Sequence, residues 1–216
     1  MNINQYLEHT LLKPNATKEE LIKLFDEAIK YDFLGVCVNP VNVAFAKEYL
    51  KNSNVKIVTV CGFPLGANVS DVKAYEAKCA IEDGADEVDM VINISALKDK
   101  NYELVKSDIE TVKKACADKV LKVIIETDLL TKEEIEKVCE LCVEAKADFV
   151  KTSTGFVKDG VGAKVEDVAL MYKTVHPYGL KVKASGGVRD IEKAMQVVEN
   201  GASRIGTSSS VKIIEG

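Results

Sequence analysis

Short runs of apolar residues alternate with longer stretches of helical periodicity along the whole chain. In the run "EVDMVIN", the polar residues Glu87, Asp89 and Asn93 all fall in one set of alternate positions, which is the spacing of residues on one face of a strand. Every gap between runs is long enough for a crossover helix, so the pattern predicts parallel strands separated by helices. The predicted strands lie at residues 8–12, 34–39, 55–63, 86–93, 120–127, 147–153, 180–185 and 202–208.

The predicted helices have recognisable starts. Thr17-x-x-Glu20 and Thr131-x-x-Glu134 are capping boxes, each placed just before an amphipathic stretch. Asp190 is a suitable N-cap for the stretch "IEKAMQVVE" that follows it. These signals place helices between the strands rather than long unstructured loops.

Eight strand–helix units without a linker predict an α/β protein with a closed (β/α)₈ barrel, the TIM barrel fold. We expect it to form a single domain over residues 1–216. An open doubly wound sheet is the main alternative, and a GxGxxG motif after an early strand would favour it. The nearest match, Gly160-Val-Gly162, has Val165 at the third glycine position, so the barrel is the better prediction.

Composition and charge restrict the partners. The chain has 216 residues, 47% of them apolar, and a net charge of -5 with no basic stripe, which argues against nucleic-acid binding. No apolar run approaches the roughly 20 residues of a membrane span. The first ten residues lack the basic-then-apolar build of a secretory signal. We therefore expect a cytoplasmic protein that binds neither nucleic acid nor membrane.

Few side chains are suited to bind a metal. The chain has only two histidines, His9 and His176. Its cysteines are scattered, and the one CxxC, Cys139 with Cys142, falls inside a helical pattern without a second pair. We expect no metal site, and any acid–base chemistry must proceed mostly without histidine.

The run "ADFVKTSTGF" ends an apolar strand with Lys151. In a barrel of this kind, catalytic groups project from the C-terminal ends of the strands. Strand four contributes Glu87 and Asp89 on one face, and strand seven contributes Lys181 and Lys183. We therefore expect two lysines and a carboxylate to meet in one polar pocket inside a largely apolar barrel.

A lysine in such a pocket is suited to nucleophilic catalysis. Burial and a neighbouring ammonium group both disfavour protonation, and a neutral lysine amine attacks carbonyl groups to form a Schiff base. Asp89 is then placed to transfer protons as a general acid and base. The structural alternative is that Lys151 snorkels to the surface and that Asp89 forms a buried ion pair.

Two glycine-rich segments predict a phosphate site. "SGGVRD", residues 185–190, and "GTSS", residues 206–209, each precede a predicted helix after strands seven and eight. Backbone N–H groups at helix N-termini bind anions, and glycine allows the anion to approach closely. Barrels often bind phosphate at this place.

The motifs together resemble one family, the deoxyribose-phosphate aldolases. They are, in order, "EHTLLKP", "VCVNP", "VCGFPLGA", "EVDMVIN", "VIIET", "VKTSTGF", "KASGGVR" and "IGTSS". The resemblance extends from His9 to Ser209, nearly the full chain. It implies a class I aldolase on a (β/α)₈ barrel that needs no metal or other cofactor. Such an enzyme reversibly cleaves 2-deoxy-D-ribose 5-phosphate to D-glyceraldehyde 3-phosphate and acetaldehyde.

The resemblance also implies roles for individual residues. Lys151 matches the Schiff-base lysine, Lys183 matches the second lysine that lowers the pKa of the first, and Asp89 matches the carboxylate that relays protons through a water. The implied substrate and phosphate site comprises Thr154, Gly155, Gly186, Gly187, Ser208 and Ser209. Phe156 stands where some members have a phosphate-binding lysine. The implied partners are a sugar phosphate and acetaldehyde, and we expect a homo-oligomer, either a dimer or a tetramer.

Two other functions remain open at this point. One is another Schiff-base barrel aldolase, of the transaldolase or keto-acid type, which would use a different aldehyde or donor. The other is a catalytically silent sugar-phosphate-binding regulator built on the barrel. That second reading would require the loss of a lysine or the carboxylate, and Lys151, Lys183 and Asp89 are all present.

Overall fold

Eight parallel strands close into a barrel in the computed structural model, which describes residues 2–216. The strands pair in chain order, and the last one, β8, pairs with the first one, β1. Their bounds are β1 Leu7–Leu11, β2 Gly35–Val38, β3 Lys56–Cys61, β4 Glu87–Val91, β5 Val120–Ile124, β6 Phe149–Lys151, β7 Lys181–Ser185 and β8 Ala202–Thr207.

Helices fill every connection between consecutive strands, and two of them fall between β4 and β5. Their bounds are α1 Lys18–Lys30, α2 Val43–Leu50, α3 Ser70–Glu82, α4 Ile94–Lys98, α5 Tyr102–Ala115, α6 Lys132–Glu144, α7 Val165–Val175, α8 Ile191–Glu199 and α9 Ser210–Glu215. Short 3-10 turns occur at Ile3–Tyr6, Pro40–Asn42, Thr127–Leu129 and His176–Tyr178. Within residues 2–216, no helix combines the length and the apolar character needed to cross a membrane.

The predicted (β/α)₈ barrel is confirmed, and the alternative of an open sheet is wrong because β1 and β8 are joined. The observed strands overlap the predicted ones throughout. The largest difference is at strand six, predicted over 147–153 and observed over Phe149–Lys151. Thr152 follows this strand, and its hydroxyl donates to the carbonyl of Ser185 at 2.9 Å, so the chain turns into the loop above the barrel.

The capping signals act as the sequence predicted. In both capping boxes the threonine hydroxyl accepts from the backbone N–H of the glutamate, and the glutamate carboxylate accepts from the threonine N–H. The Asp190 side chain accepts from the N–H of Lys193 at 2.8 Å. Each such cap contributes about 1 kcal/mol and fixes where its helix begins.

The apolar core lies mainly outside the barrel, between the strands and the helices. Strand residues such as Val36, Val88 and Ile205 belong to the same buried cluster as Phe25 of α1 and Ile109 of α5. The inside of the barrel holds a much smaller apolar group. It also buries six charged side chains, so the interior is more polar than the sequence predicted: Glu8, Glu87, Asp89, Lys122, Lys151 and Lys183.

Candidate active site

Lys151 is the last residue of β6 and lies at the bottom of a cavity at the C-terminal ends of the strands. Its side chain is buried. The ammonium group donates to Oδ2 of Asp89 at 2.7 Å. The structural alternative in which Lys151 extends to the surface is therefore wrong.

Asp89 connects the two lysines that the sequence singled out. Lys183 Nζ donates to the same oxygen, Oδ2 of Asp89, also at 2.7 Å. Lys151 and Lys183 lie directly opposite each other on the paired strands β6 and β7. The structure therefore brings Lys151, Lys183 and Asp89 together, as the strand positions predicted.

The surroundings of Lys151 favour the neutral amine. Burial lowers its pKa below the ordinary value for lysine. Asp89 opposes this effect, whereas the positive charge of Lys183 lowers the pKa further. Burial also disfavours ionisation of Asp89, but the lysines around it outweigh burial and hold its pKa well below the ordinary range.

Lys183 differs from Lys151 because it has a second carboxylate partner. Its ammonium group donates to Glu8 of β1 as well as to Asp89. Burial disfavours the charged form, but Asp89 and Glu8 together raise the pKa of Lys183 above its ordinary value. Lys183 therefore stays charged under conditions in which Lys151 can lose its proton.

A third lysine, Lys122 of β5, belongs to the same network, and the sequence reasoning missed it. Its ammonium group donates to Oδ1 of Asp89 at 3.0 Å and lies 2.6 Å from Oε2 of Glu87. It is also 3.4 Å from Oε1 of Glu8. The available signal was its position within the apolar run "VLKVIIET". A lysine inside a run of buried strand residues is unusual and indicates a buried, paired charge.

The cavity above Lys151 has a volume of about 670 Å³. Its wall includes every residue of the predicted substrate and phosphate site, namely Thr154, Gly155, Gly186, Gly187, Ser208 and Ser209. Asp89 and Lys183 do not line the cavity and lie beneath its floor, which Lys151 forms. The space is large enough for a small sugar phosphate.

Two glycines bring the loops after β6 and β7 into direct contact. Gly162 has φ +77°, and a Cβ placed on it would lie 2.4 Å from the backbone of Gly186. The N–H of Ala163 donates to the carbonyl of Gly186 at 3.0 Å. Glycine is therefore required at residue 162 for this loop to keep its contact with Gly186.

Glu126, two residues after the end of β5, is a further cavity residue that the sequence reasoning missed. Its carboxylate accepts from the N–H of Thr154 at 3.1 Å and from the Thr154 hydroxyl. The side chain is buried, which raises the pKa of its carboxyl above the ordinary value. Its backbone is left-handed, with φ +60°, a conformation that is uncommon for a residue other than glycine.

Phe156 lines the cavity directly after Gly155. It is half exposed and packs edge-on against Phe63, with ring centroids 5.2 Å apart. Arg189, two residues after Gly187, also lines the cavity and carries a positive charge. Arg189 stands within the predicted segment "SGGVRD", but sequence reasoning assigned it no role.

Within the described residues, 2–216, no group of three or more histidine, cysteine, aspartate and glutamate side chains has the arrangement of a metal site. The carboxylates of the barrel interior are instead occupied by ammonium groups. The side chains that meet at this site are thus suited to amine and proton chemistry.

Comparison with known proteins identifies the family to which this arrangement belongs. A profile of the DeoC/LacD aldolase family matches residues 5–213. The chain is 60% identical to deoxyribose-phosphate aldolase from Thermococcus kodakarensis, over 99% of this chain and 96% of that protein. It is 57% identical to the Streptococcus sanguinis enzyme of the same name, over 100% and 97% of the two chains. A tetrameric deoxyribose phosphate aldolase from Aeropyrum pernix superposes with a TM-score of 0.89 at 34% identity, covering 99% of this chain and 89% of that one.

Proposed function

The chain belongs to the DeoC/LacD family of aldolases, and on that premise we propose that it cleaves 2-deoxy-D-ribose 5-phosphate reversibly to D-glyceraldehyde 3-phosphate and acetaldehyde. The observation that carries this proposal is the buried Lys151 at the floor of the cavity, in contact with Asp89. A lysine whose pKa is lowered by burial is the nucleophile that a class I aldolase needs.

In the direction of synthesis, the neutral amine of Lys151 adds to the carbonyl carbon of acetaldehyde. Loss of water from the adduct gives an iminium ion, and removal of a methyl proton gives an enamine. The enamine carbon then attacks the aldehyde carbon of glyceraldehyde 3-phosphate, whose oxygen takes up a proton. Hydrolysis of the new iminium releases the sugar phosphate and regenerates Lys151. The iminium accepts the electron pair of the breaking bond, so the proposed reaction requires no metal or other cofactor.

We assign the supporting roles from the contacts of the two neighbours. Asp89 shares one oxygen between Lys151 and Lys183, each at 2.7 Å, which suits a group that transfers protons directly or through a water. Lys183, held in its charged form, lowers the pKa of Lys151 and keeps it available as a nucleophile. The two lysines thus divide the roles of nucleophile and fixed charge.

The phosphate of the substrate is proposed to bind at the opposite wall of the cavity. Backbone N–H groups of Gly155, Gly186 and Gly187, together with Ser208 and Ser209, offer donors at the loops after β6, β7 and β8. Thr154 lines the same cavity on the side of Lys151. To these residues we add Arg189, whose guanidinium supplies the positive charge that Phe156 lacks.

Assembly and location are part of the proposal. We propose a homo-oligomer, supported by apolar side chains that remain exposed at Leu65, Val69, Val72 and Tyr75, on α3 and the loop before it. We also propose that the enzyme acts as one domain over residues 1–216. We propose that it is cytoplasmic, since its six cysteines are free thiols, as is usual in a reducing compartment. A sedimentation mass equal to the 23.6 kDa monomer at micromolar concentration would contradict the homo-oligomer.

A substrate comparison tests the proposed reaction. The purified protein is incubated with 2-deoxy-D-ribose 5-phosphate, and release of glyceraldehyde 3-phosphate is followed with a coupled dehydrogenase. The same protein is tested with keto-acid donors and with transaldolase substrates. We expect kcat/KM for deoxyribose phosphate to exceed the others by at least about 100-fold, since phosphate and donor sites must both be filled. Preference for a different donor, or binding without turnover, would contradict the proposal.

A further inference from the structure

A second layer of charged side chains lies beneath Asp89, further inside the barrel. Lys122 and Glu87 form its centre, with 2.6 Å between the ammonium group and Oε2 of the carboxylate. Lys122 lies opposite Asp89 on the paired strands β4 and β5, and its ammonium group contacts Oδ1, the oxygen that faces away from Lys151 and Lys183. Neither Lys122 nor Glu87 lines the cavity, so neither can touch a substrate.

The second layer is isolated from water at its centre and reaches solvent only at the N-terminal end of the barrel. Lys122 is 0% exposed and Glu87 is 1% exposed. Beyond them, Arg204 of β8 lies 3.9 Å from Glu87 and 3.7 Å from Glu8. Lys56 of β3 lies 3.3 Å from Glu87, but 44% of its side chain is exposed, so water screens most of its charge.

With Arg204 at the N-terminal end of the barrel counted among them, the charges of the interior balance when Lys151 is neutral. The anions are Glu8, Glu87 and Asp89, and the cations without Lys151 are Lys122, Lys183 and Arg204. A proton on Lys151 would add a positive charge that has no anion of its own, because both oxygens of Asp89 already contact other lysines. In a buried cluster, one unpaired charge strongly changes the protonation of its neighbours.

We propose that the Lys122–Glu87 ion pair sets the protonation state of Lys151 from below the active site. Lys122 contacts Oδ1 of Asp89 and weakens the attraction between Asp89 and the ammonium form of Lys151. Glu87 partly neutralises the positive charge of Lys122 and so limits this effect. This inference rests on the proposed function, in which Lys151 is the nucleophile. Lys122 and Glu87 are positioning residues, since they act only through Asp89.

The other groups that face these side chains agree with this assignment. Burial disfavours the charged forms of both Lys122 and Glu87. The carboxylates Asp89, Glu8 and Glu87 nevertheless raise the pKa of Lys122, and Lys122, Arg204 and Lys56 lower that of Glu87. Both members of the pair therefore carry fixed charges.

The groups that face Lys151 itself are few. They are Asp89 of β4, Lys183 of β7, the thiol of Cys37 on β2 and the carboxylate of Glu126 above β5. Of these, Asp89 contacts Lys122 directly. Lys183 is connected to Lys122 through Glu8, whose carboxylate contacts both lysines. A change of charge at Glu87 or Lys122 is thus transmitted to Lys151 mainly through Asp89.

Two single substitutions should move the protonation of Lys151 in opposite directions. Glu87→Gln removes a negative charge and leaves Lys122 with more positive influence, so Lys151 loses its proton at lower pH. Lys122→Met removes a positive charge and leaves Asp89 free to stabilise the ammonium form of Lys151, so a higher pH is needed. Carrying both substitutions restores the charge balance. Glu87→Gln preserves the shape of the side chain and keeps one oxygen that can accept from the Lys122 ammonium group, so this variant removes chiefly charge.

The test is the pH dependence of iminium formation. The full-length protein is incubated with acetaldehyde and cyanoborohydride over a range of pH, and the rate of ethylation at Lys151 is measured by peptide mass mapping. We expect the pH midpoint to fall by about one unit in Glu87→Gln and to rise by about one unit in Lys122→Met. The double variant should return close to the midpoint of the unsubstituted protein.

Asp108→Asn is a matched control. Asp108 of α5 is a buried carboxylate paired with buried Lys73 of α3 at 2.6 Å, but this pair lies in the helical layer outside the barrel. Its removal should leave the midpoint unchanged. A merely structural role for Glu87 and Lys122 would lower the ethylation rate or the stability without moving the midpoint.

The outcomes separate this inference from the proposed function. Ethylation at a residue other than Lys151 in the unsubstituted protein would overturn the proposed nucleophile. Ethylation at Lys151 with the same midpoint in Glu87→Gln as in the unsubstituted protein would overturn the inference alone. The result for Glu87→Gln is decisive by itself, so the inference can be rejected even if Lys122→Met fails to fold. Opposite shifts that cancel in the double variant would support it.

Discussion

Three lysines share the interior of the barrel, and they differ in how many carboxylates each ammonium group contacts. Lys151 contacts Asp89 alone, Lys183 contacts Asp89 and Glu8, and Lys122 contacts Asp89, Glu87 and Glu8. The direction of each pKa change follows this order, since Lys151 is lowered whereas Lys183 and Lys122 are raised. In the proposed mechanism, a lysine thus serves as a nucleophile or as a fixed charge according to its partners.

Replacement of Lys151 tests the nucleophile at the scale of one residue. We expect Lys151→Met to lower kcat by at least about 1,000-fold, because the other lysines that line the cavity, Lys13 and Lys23, are largely exposed and so lack the burial that lowers the pKa of Lys151. The matched control is Lys181→Met, at the exposed end of β7, which should retain activity. Steady-state kinetics measure both variants, and circular dichroism checks that they fold. Activity within tenfold of the unsubstituted protein would rule out Lys151.

Replacement of Lys183 tests the electrostatic role. Its positive charge lowers the pKa of Lys151, so Lys183→Met should raise that pKa and shift the acidic limb of the kcat/KM profile to higher pH. Activity at neutral pH should fall strongly and recover in part at alkaline pH. A profile that loses height without shifting would show that Lys183 does not act through the protonation of Lys151.

At this scale the sequence predicted the main residues but not the whole network. Lys151, Lys183 and Asp89 could be found because strand ends and the alternation of side chains place them together. The parts that Lys122 and Glu126 take in the network could not be predicted in this way, because the sequence does not show which buried side chains contact each other. The roles of the predicted residues stay predictions until the variants are measured.

At the scale of elements, the loops after the strands join the site into one surface. Glu126 after β5 holds Thr154 after β6, and Gly162 before α7 lies against Gly186 after β7. Because each loop supports the next, the shape of the proposed phosphate site depends on contacts that no single strand provides.

Glu126→Gln tests this support. Loss of the charge weakens the hydrogen bonds from the N–H and hydroxyl of Thr154, and charge-assisted bonds of this kind contribute about 1.5 to 3 kcal/mol. Since glutamine keeps one acceptor oxygen, we expect KM for deoxyribose phosphate to rise about tenfold, with a smaller change in kcat. Glu133→Gln, on the exposed face of α6, is the control. An unchanged KM in Glu126→Gln would contradict the support.

Thr131→Ala tests the capping box of α6, far from the chemistry. The hydroxyl of Thr131 accepts from the N–H of Glu134, so we expect the free energy of unfolding to fall by about 1 kcal/mol while kcat/KM stays the same. Denaturant titration measures the change. Thr111→Ala, which removes an exposed hydroxyl within α5, serves for comparison and should cost less. Equal losses in the two variants would argue against a specific capping contribution.

The sequence predicted the elements well because their ends carry local signals. Capping boxes and runs of alternating residues fix helix starts and strand positions through contacts only a few residues apart. Strand six was predicted too long because residues 152–153, which follow the apolar residues, were included in the strand. The Thr152 hydroxyl donates to the carbonyl of Ser185, which is distant in the sequence and is brought near only by the closed barrel.

At the scale of the whole molecule, the barrel separates two environments. A continuous apolar cluster between strands and helices stabilises the fold, whereas the inside of the barrel contains mainly paired charged side chains. Burying charges is unfavourable unless they are paired, and here each carboxylate of the interior contacts at least one ammonium group. Eight repeated strand–helix units predicted the closed barrel, but they did not predict that its interior would be so highly charged.

The most direct test of the proposed function is to trap the covalent intermediate. The protein is treated with acetaldehyde and borohydride, digested, and mapped by mass spectrometry. We expect an ethyl group on Lys151 and none on Lys183 or Lys122, because Lys151 alone of the three lines the cavity and has a lowered pKa. An ethyl group on Lys183 would reverse the assignment of the two lysines, and a folded protein with no adduct would contradict the Schiff-base mechanism.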